Sequence, residues 1–265
     1  MQKSEEKIFV EIFHQLMLNG RKISPRGEEV VEIENFHYDF PPYSRFMNFK
    51  SRKLNLSYIK KEFLWYLKGD RFDTSIAEHA TLWKSLINMD GSINSNYGQY
   101  IFHNDCNQFL NAAKTLINDK DSRRASMMIL QPWHLLSYTR DFPCTYGINF
   151  RIRDSYLNMS VHMRSQDAVY GLGNDLPTFS FIHEMMYIYL QNIYPELQYG
   201  IYHHTVDSFH IYKKHYHVAE AVLLGDEFTL IFCPQMNYKD VDFMLSNPTV
   251  TNLFIDTLFR NWLLI

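Results

Sequence analysis

One cysteine lies where a nucleophile would be useful, in the segment DFPCTYG at the start of a predicted strand. A cysteine reacts as its thiolate, and nearby positive charge stabilises that form. Arg164 and the segment DSRR, which ends in Arg123 and Arg124, could supply this charge once the chain folds. Cys144 is therefore a candidate nucleophile. The alternative is a small buried hydrophobic residue, as most free cysteines are.

Glu62 and the arginines point toward acid–base chemistry and phosphate binding. Glu62 lies in KKEFLWYL on a predicted amphipathic helix, so it is either an acid–base group or an ordinary solvated side chain. Arg164 ends a predicted strand, and its planar guanidinium suits phosphate oxygens. Arg123 and Arg124 are adjacent, so on a strand one would reach a ligand while the other pairs locally or crosses an interface. Taken singly, each arginine is better explained as a surface charge.

Two residues of the segment DSFHIY, His210 and Tyr212, would share one face of a strand and therefore one pocket. The histidines of YHH and HYH are interpreted as incidental. No H-x-x-x-H pair has a convincing carboxylate or cysteine companion, so we expect no metal. Cys106, Cys144 and Cys233 are far apart and form no CxxC pair, which argues against a zinc site or a disulfide framework.

The segment RSQDAVYGLGNDLPTF raises the question of what its Asn-Asp pair does, between a glycine-loosened loop and an apolar run. The run LPTFSFIHEMMYIYLQNIY predicts a long buried helix. Asp175 immediately precedes it and is well suited to be its N-cap. The neighbouring Asn174 suggests no role.

The elements that would position these groups follow from periodicity. Helices are predicted over 4–18 and over NLSYIKKEFLWYLKGD, the second ending at a Gly69 C-cap. Strands are predicted at VVEIENFHYDF, ASMMILQP, CTYGINFRIRD and YLNMSVHMRS, the last two forming a hairpin around RDS. LQYGIYHHTVDSFHIYKKHYHVAEAVLL predicts a strand running into a helix. We expect an α+β fold in which helices cover one mixed sheet, as a single domain over 1–265.

Composition limits the partners. Hydrophobic residues make up 46% and charged residues 21% of the chain, which is typical of a globular protein. The net charge of −3 argues against a nucleic-acid polymer as partner, although a few arginines could hold a small anion. The 16% aromatic residues fit a large core, an interface or a base-stacking surface. With no run of 18 apolar residues and a charged N-terminus, we expect a cytoplasmic protein without a membrane span.

The order of the motifs is more specific than any one of them. FLWYLKGD, NYG, DSRR, PCT, RSQD…G…ND and DSFHIY follow one another, from about Arg26 to about His215, as the signature blocks of the thymidylate synthase family do. The chain resembles that family, and its GSINSNYG, DSRR and RSQDAVYGLGND are similar to the phage deoxycytidylate hydroxymethylases. This resemblance implies a nucleotide substrate, 5,10-methylenetetrahydrofolate as co-substrate, and a homodimer formed through the sheet. It also suggests a phage that modifies its DNA.

The resemblance also implies roles for individual residues. Cys144 matches the nucleophile that attacks C6 of the pyrimidine, and Glu62 matches the glutamate that organises water and proton transfers. The residues matching nucleotide contacts are Arg164 and Ser165 for the phosphate, Arg123 and Arg124 as the pair donated by the partner subunit, Arg26 from a mobile loop, and His210 and Tyr212 for the sugar 3′-hydroxyl. The residues matching the folate and base site are Asp167, which contacts the pterin, together with Trp83, Tyr97 and Gly171.

Two departures from the deoxyuridylate synthases concern the substrate. Those enzymes have asparagine at the position of Asp175 and histidine at that of Thr145, and the cytidylate hydroxymethylases resemble this chain at both. An ionised carboxylate accepts from the 4-amino group of cytosine, and from N3 once it gains a proton. Facing uracil, the same carboxylate would be repelled by O4, at a cost of ~1–3 kcal/mol or more. We therefore expect Asp175 to select cytosine.

The reaction implied is conversion of dCMP to 5-hydroxymethyl-dCMP and tetrahydrofolate through covalent addition of Cys144 at C6, with water replacing the hydride of the synthases. Four alternatives remain open: a deoxyuridylate hydroxymethylase or true thymidylate synthase, an enzyme acting on the ribonucleotide CMP, a non-catalytic nucleotide- or RNA-binding relic of the fold, and a papain-like Cys–His hydrolase. The retained cysteine, glutamate and arginines argue against the relic, and the hydrolase lacks its expected local context.

Overall fold

The computed structural model describes residues 4–103, 106–135, 139–246 and 257–265. Its helices are α1 (Glu5–Asn19), α2 (Leu56–Lys68), α3 (Leu82–Leu86), α4 (Gly98–Ile101), α5 (Gln108–Asn118), α6 (Gly171–Gln191), α7 (Tyr216–Leu223), α8 (Tyr238–Ser246) and α9 (Leu258–Leu264). Its strands are β1 (Arg21–Ile23), β2 (Val30–Phe40), β3 (Ser126–Met128), β4 (Thr145–Arg153), β5 (Tyr156–Met163), β6 (Gln166–Asp167) and β7 (Gln198–Tyr212). The predicted α+β class is confirmed.

The strands form one mixed sheet in the order β1-β2-β7-β5-β4-β3, with β6 also paired to β7. Strand β7 runs parallel to β5 and β6 and antiparallel to β2, so it joins the two halves of the sheet. The predicted hairpin is confirmed: β4 and β5 connect through Asp154 and Ser155, both with positive φ. Such a turn matches the right-handed twist of the strands it joins. Strand β3 is shorter than predicted: after Met128 the N–H groups of Ile129 and Leu130 both donate to the carbonyl of Tyr146, and Pro132 then begins a 3₁₀ turn.

Helix α6 is the centre of the core, with buried side chains on most of its faces. It begins at Gly171, four residues before Asp175, so the prediction that Asp175 caps this helix is wrong. The carboxylate of Asp167 performs that function, because its Oδ2 accepts from the backbone N–H of Tyr170 at 2.6 Å and of Gly171 at 3.2 Å. Asp175 is thereby carried one turn into the helix.

Helix α2 packs against α6 and brings Glu62 to the centre of the molecule. The side chain of Asn55 begins the helix by accepting from the Tyr58 N–H at 3.0 Å, and Gly69 ends it in the left-handed conformation at φ 58°. The predicted C-cap is confirmed. Its buried face places Glu62 opposite α6.

The sheet face opposite α6 is polar along β2 and β7. His37 and Asp39 are exposed there beside the half-buried His203. The homodimer expected through this sheet stays a prediction. Within the described ranges, no helix is long and apolar enough to cross a membrane.

Candidate active site

Cys144 lies immediately before β4, and Arg164 lies immediately after the neighbouring strand β5. The Arg164 guanidinium donates from Nη2 to the Cys144 sulfur at 3.5 Å. The same side chain donates from Nε to the carbonyl of Pro143 at 3.0 Å and from Nη2 to that of Phe142 at 2.7 Å. These two backbone contacts fix the arginine beside the thiol, and its Nη1 donates to none of the described residues.

The electrostatic environment of Cys144 combines opposing effects. Burial raises the pKa of the thiol, while the charge of Arg164 and, more weakly, that of Arg26 lower it. Arg26 lies in the exposed turn Pro25–Gly27 at φ 55° and also acts on the Tyr212 hydroxyl. The turn therefore places Arg26 near Cys144 and Tyr212, and its role as a phosphate ligand stays a prediction.

Glu62 is fully enclosed by side chains. It accepts a short hydrogen bond from the Tyr58 hydroxyl and a longer one, at 3.5 Å, from Thr178. Tyr58 in turn accepts from the indole N–H of Trp83 at 2.8 Å. Burial, with the nearby charge of Asp175, raises the pKa of Glu62 to about 8. The interpretation of Glu62 as a solvated surface residue is therefore wrong, and at neutral pH it carries a proton.

Asp175 lies close to both Cys144 and Glu62. Its Oδ2 accepts from the Gln166 amide at 2.9 Å, and its Oδ1 has no hydrogen-bond partner among the described residues. Burial raises the pKa of Asp175 to about 6, so the carboxylate is mostly ionised at pH 7. Its charge is close enough to raise the pKa values of Cys144, Glu62 and Tyr97.

Aromatic rings form one wall of this space. Tyr97 stacks between Tyr66, at 5.3 Å between ring centroids, and Phe179, at 6.2 Å. Trp83 packs edge-on against Trp65 at 5.2 Å. Trp83 and Tyr97, which the resemblance assigned to the base and folate site, are thus buried near Glu62 and Asp175.

Asp167 and the end of β7 line another side. One oxygen of Asp167 holds the start of α6, and the other, Oδ1, is buried without a hydrogen-bond partner. The rings of His210 and Tyr212 meet edge to face with 5.1 Å between their centroids, which confirms that the two side chains lie on the same face of β7. Gly171 has its backbone against Gln166, where an added Cβ would lie 3.2 Å from the Gln166 side chain.

Arg123 and Arg124 do not join these residues within one chain. They precede β3 rather than lying on a strand, so the strand alternation considered for them does not apply, and both are exposed. The carbonyl of Ala125, next to Arg124, accepts from the N–H of Phe150. Phe150 lies six residues along the chain from Cys144, which places this backbone ~20 Å from that of Cys144. Ser165 follows Arg164 and is half-buried.

The described residues contain one grouping of potential metal ligands, His37, Asp39 and His203, on the outer sheet face. Asp39 accepts from His203 at 2.6 Å and lies 2.9 Å from His37. The arrangement is that of an exposed hydrogen-bonded cluster, and it lies on the opposite side of the sheet from α6.

Several site residues were not identified from the sequence. Tyr58 is four positions before Glu62 on one helix, a spacing that places the two side chains in contact. Thr178 reaches Glu62 from α6, and Gln166 reaches Asp175 from β6. His204, which was interpreted as incidental, is buried and 2.6 Å from Gln166. Only the Tyr58 spacing could have been read from the sequence.

Comparison with known proteins agrees with this geometry. The family model for thymidylate synthase matches residues 7–244. The deoxycytidylate 5-hydroxymethyltransferase of Enterobacteria phage T6 is 32% identical over 175 residues, covering 63% of this chain and 71% of that protein, and its counterpart from phage T4 is 31% identical over the same lengths. The deoxyuridylate hydroxymethyltransferase of Bacillus phage SP01 is 27% identical over 226 residues, covering 79% of this chain and 57% of that protein. The chain belongs to the thymidylate synthase family.

Proposed function

We propose that the protein is a deoxycytidylate 5-hydroxymethyltransferase, which converts dCMP, 5,10-methylenetetrahydrofolate and water to 5-hydroxymethyl-dCMP and tetrahydrofolate. The observation that carries the proposal is the Asp175 carboxylate, set among Cys144, Glu62 and Tyr97 with one oxygen unpaired among the described residues. The deoxyuridylate synthases of the family that this chain resembles have an asparagine at the position of Asp175. The phage T6 and T4 relatives carry the same activity in their names.

The thiol end of the site supplies the nucleophile. As a thiolate, Cys144 forms a bond to C6 of the pyrimidine, and the electrons of the 5,6 double bond move to C5. The Arg164 contact to sulfur at 3.5 Å stabilises the thiolate against the effect of burial. Arg164 Nη1 and Arg26 then remain for the substrate phosphate, which the planar fork of arginine suits.

Methylenetetrahydrofolate supplies the one-carbon unit, which C5 attacks. The C5 proton and tetrahydrofolate then leave, and water adds to the resulting exocyclic methylene. Glu62, with a pKa of about 8, is suited to position that water and to exchange protons near neutral pH. Departure of Cys144 restores the 5,6 double bond and the free thiol.

Asp175 provides the choice of base. Ionised at neutral pH, its Oδ1 accepts from the 4-amino group of cytosine, and the carboxylate stabilises N3 when that atom gains a proton. With uracil, O4 would face the same negative charge and be repelled. Oδ1 of Asp167, which accepts no hydrogen bond from the described residues and lies 3.9 Å from His215 Nδ1, offers an acceptor for an N–H of the pterin. His210 and Tyr212 offer polar groups for the sugar 3′-hydroxyl.

The test is the mass of the products formed from an equal mixture of dCMP and dUMP with methylenetetrahydrofolate. We expect a gain of one CH₂O unit on dCMP alone. A modified uracil nucleotide, whether hydroxymethylated or methylated, would overturn the base assignment while leaving the Cys144 chemistry intact.

A second candidate is the deoxyuridylate hydroxymethyltransferase reaction, which the name of the phage SP01 relative describes. That relative is aligned over more of this chain, but at lower identity, than the two cytidylate relatives. The same mixture distinguishes the two, since each predicts the modification of a different nucleotide.

A further inference from the structure

A series of hydrogen-bonded, buried side chains leads away from Asp175 into the sheet. Gln166 Nε2 lies 2.9 Å from Asp175 Oδ2, and Gln166 Oε1 lies 2.6 Å from His204 Nε2. His204 Nδ1 lies 2.9 Å from the Tyr202 hydroxyl. The three residues beyond Asp175 are each at most 4% exposed. They come from two strands, since Tyr202 and His204 alternate on the buried face of β7 while Gln166 belongs to β6.

The chemistry of each group sets the direction of the next hydrogen bond. An ionised Asp175 only accepts, so Gln166 must present its N–H to it and its carbonyl oxygen to His204. His204 must therefore carry its proton on Nε2. Its bare Nδ1 then accepts from the Tyr202 hydroxyl.

His204 has a single proton to place. Burial lowers its pKa to about 3, so the ring is neutral and one nitrogen donates while the other accepts. With only one N–H, the ring cannot donate to Gln166 and Tyr202 at once. The order of donors is thus fixed by the carboxylate at one end, and the Tyr202 hydroxyl at the other end supplies the donor that the bare Nδ1 needs.

We propose that Gln166, His204 and Tyr202 are positioning residues that hold Oδ2 of Asp175 and so aim Oδ1 at the base, which makes them determinants of cytosine preference. This inference rests on the proposed function of Asp175. The three residues touch neither the reacting atoms nor Cys144, and they act through the orientation of one carboxylate.

Tyr202, at the end of this hydrogen-bonded series, gives the most discriminating variant. Tyr202→Phe removes only the hydroxyl that donates to Nδ1, two hydrogen bonds away from Asp175. His204 Nδ1 then loses its donor, so one hydrogen bond instead of two orients the ring. The Gln166 amide is held less firmly as a result, and the Asp175 carboxylate adopts orientations in which Oδ1 no longer faces the base.

The matched control is Tyr199→Phe, on the same strand. Tyr199 is also buried, and its hydroxyl makes one hydrogen bond, to the carbonyl of Ser180 at 3.1 Å, outside the chain described above. Both variants therefore lose one buried hydroxyl and one hydrogen bond. A third variant, Gln166→Met, keeps the volume and removes the contact to Asp175 directly.

The experiment measures the ratio of kcat/KM for dCMP over dUMP, with thermal melting to check folding, and the ¹⁵N spectrum of the His204 ring, assigned with His204→Gln. We expect Tyr202→Phe to lower the ratio on the order of tenfold, Gln166→Met to lower it further, and Tyr199→Phe to leave it unchanged. The ring should keep the Nε2–H tautomer in the wild type and in both tyrosine variants, and its Nδ1 resonance should shift in Tyr202→Phe alone, because Nδ1 loses its donor there.

Two outcomes overturn different claims. If the wild type forms no 5-hydroxymethyl-dCMP, the proposed function fails. If the wild type prefers dCMP but Tyr202→Phe matches Tyr199→Phe in this ratio, the positioning role fails while the function stands. Loss of stability with an unchanged ratio would show that these hydrogen bonds are structural only, and would likewise overturn the positioning role.

Discussion

The two ends of the site are built by different means. At the thiol end, Arg164 is held by the backbone carbonyls of Phe142 and Pro143, next to Cys144 itself. At the base end, Asp175 is held by the side chain of Gln166, which depends in turn on a histidine from β7. Backbone anchors persist when nearby side chains change, whereas a side-chain anchor can be altered by one substitution. We infer that the reaction chemistry is robust and that base choice can be retuned separately.

The largest effect should come from the thiol end. Cys144→Ala removes the only protein atom proposed to bond to the pyrimidine, so turnover should fall on the order of 10⁴-fold or more. Binding of dCMP, measured by calorimetry, should remain detectable because the arginines and Asp175 are unchanged. Cys233→Ala is the matched control, since Cys233 is also half-buried, and it should keep full activity. Normal turnover by the Cys144 variant would remove the covalent mechanism.

A smaller loss is expected when Glu62 can no longer exchange a proton. Glu62→Gln keeps the shape and the acceptor for Tyr58, but should lower kcat by roughly 10²–10⁴-fold with little change in the Kd for dCMP. Single-turnover kinetics with isotopic detection of C5 proton release would locate the blocked step. Release at the wild-type rate, followed by slow product formation, would support the water step. An unchanged kcat would exclude Glu62 from the chemistry.

The base end should respond with a change of preference rather than a loss of reaction. Asp175→Asn replaces an acceptor-only group by an amide that can donate to O4 of uracil, so the dCMP-to-dUMP ratio of kcat/KM should fall by about 100-fold. Asp167→Asn is the matched carboxylate-to-amide control, and it should raise the KM for methylenetetrahydrofolate without changing that ratio. A constant ratio in the Asp175 variant would contradict the separation of the two ends.

The sequence predicted the thiol end better than the base end, for a physical reason. Cys144 and Arg164 stand at adjacent strand ends, and strand boundaries follow from periodicity and turn residues. Asp175 was expected at the helix start, but the helix begins one turn earlier, where Asp167 holds its first N–H groups, and local propensity does not specify that shift. The buried His204 depends on strand pairing between distant segments, which no local pattern specifies. Arg123 and Arg124 precede β3, in agreement with the predicted start of that strand at Ala125.

The smallest effect concerns stability and separates the two ends by pH. Glu62, with an ordinary pKa of 4.5, has a folded pKa of about 8, so its neutral form stabilises the fold below pH 4.5 and this stabilisation is lost as pH rises through 8. Urea unfolding of the wild type should therefore show lower stability at pH 9 than at pH 5. Glu62→Gln should reduce that decline by roughly 2 kcal/mol, below the full value for such a shift because a buried charge recruits water. Cys144→Ala should leave the decline unchanged up to pH 8, because burial raises the pKa of this thiol from 9 and it stays neutral in both states. Equal curves for the wild type and the Glu62 variant would show that this carboxyl is solvated, and that the base end is not as dry as its contacts indicate.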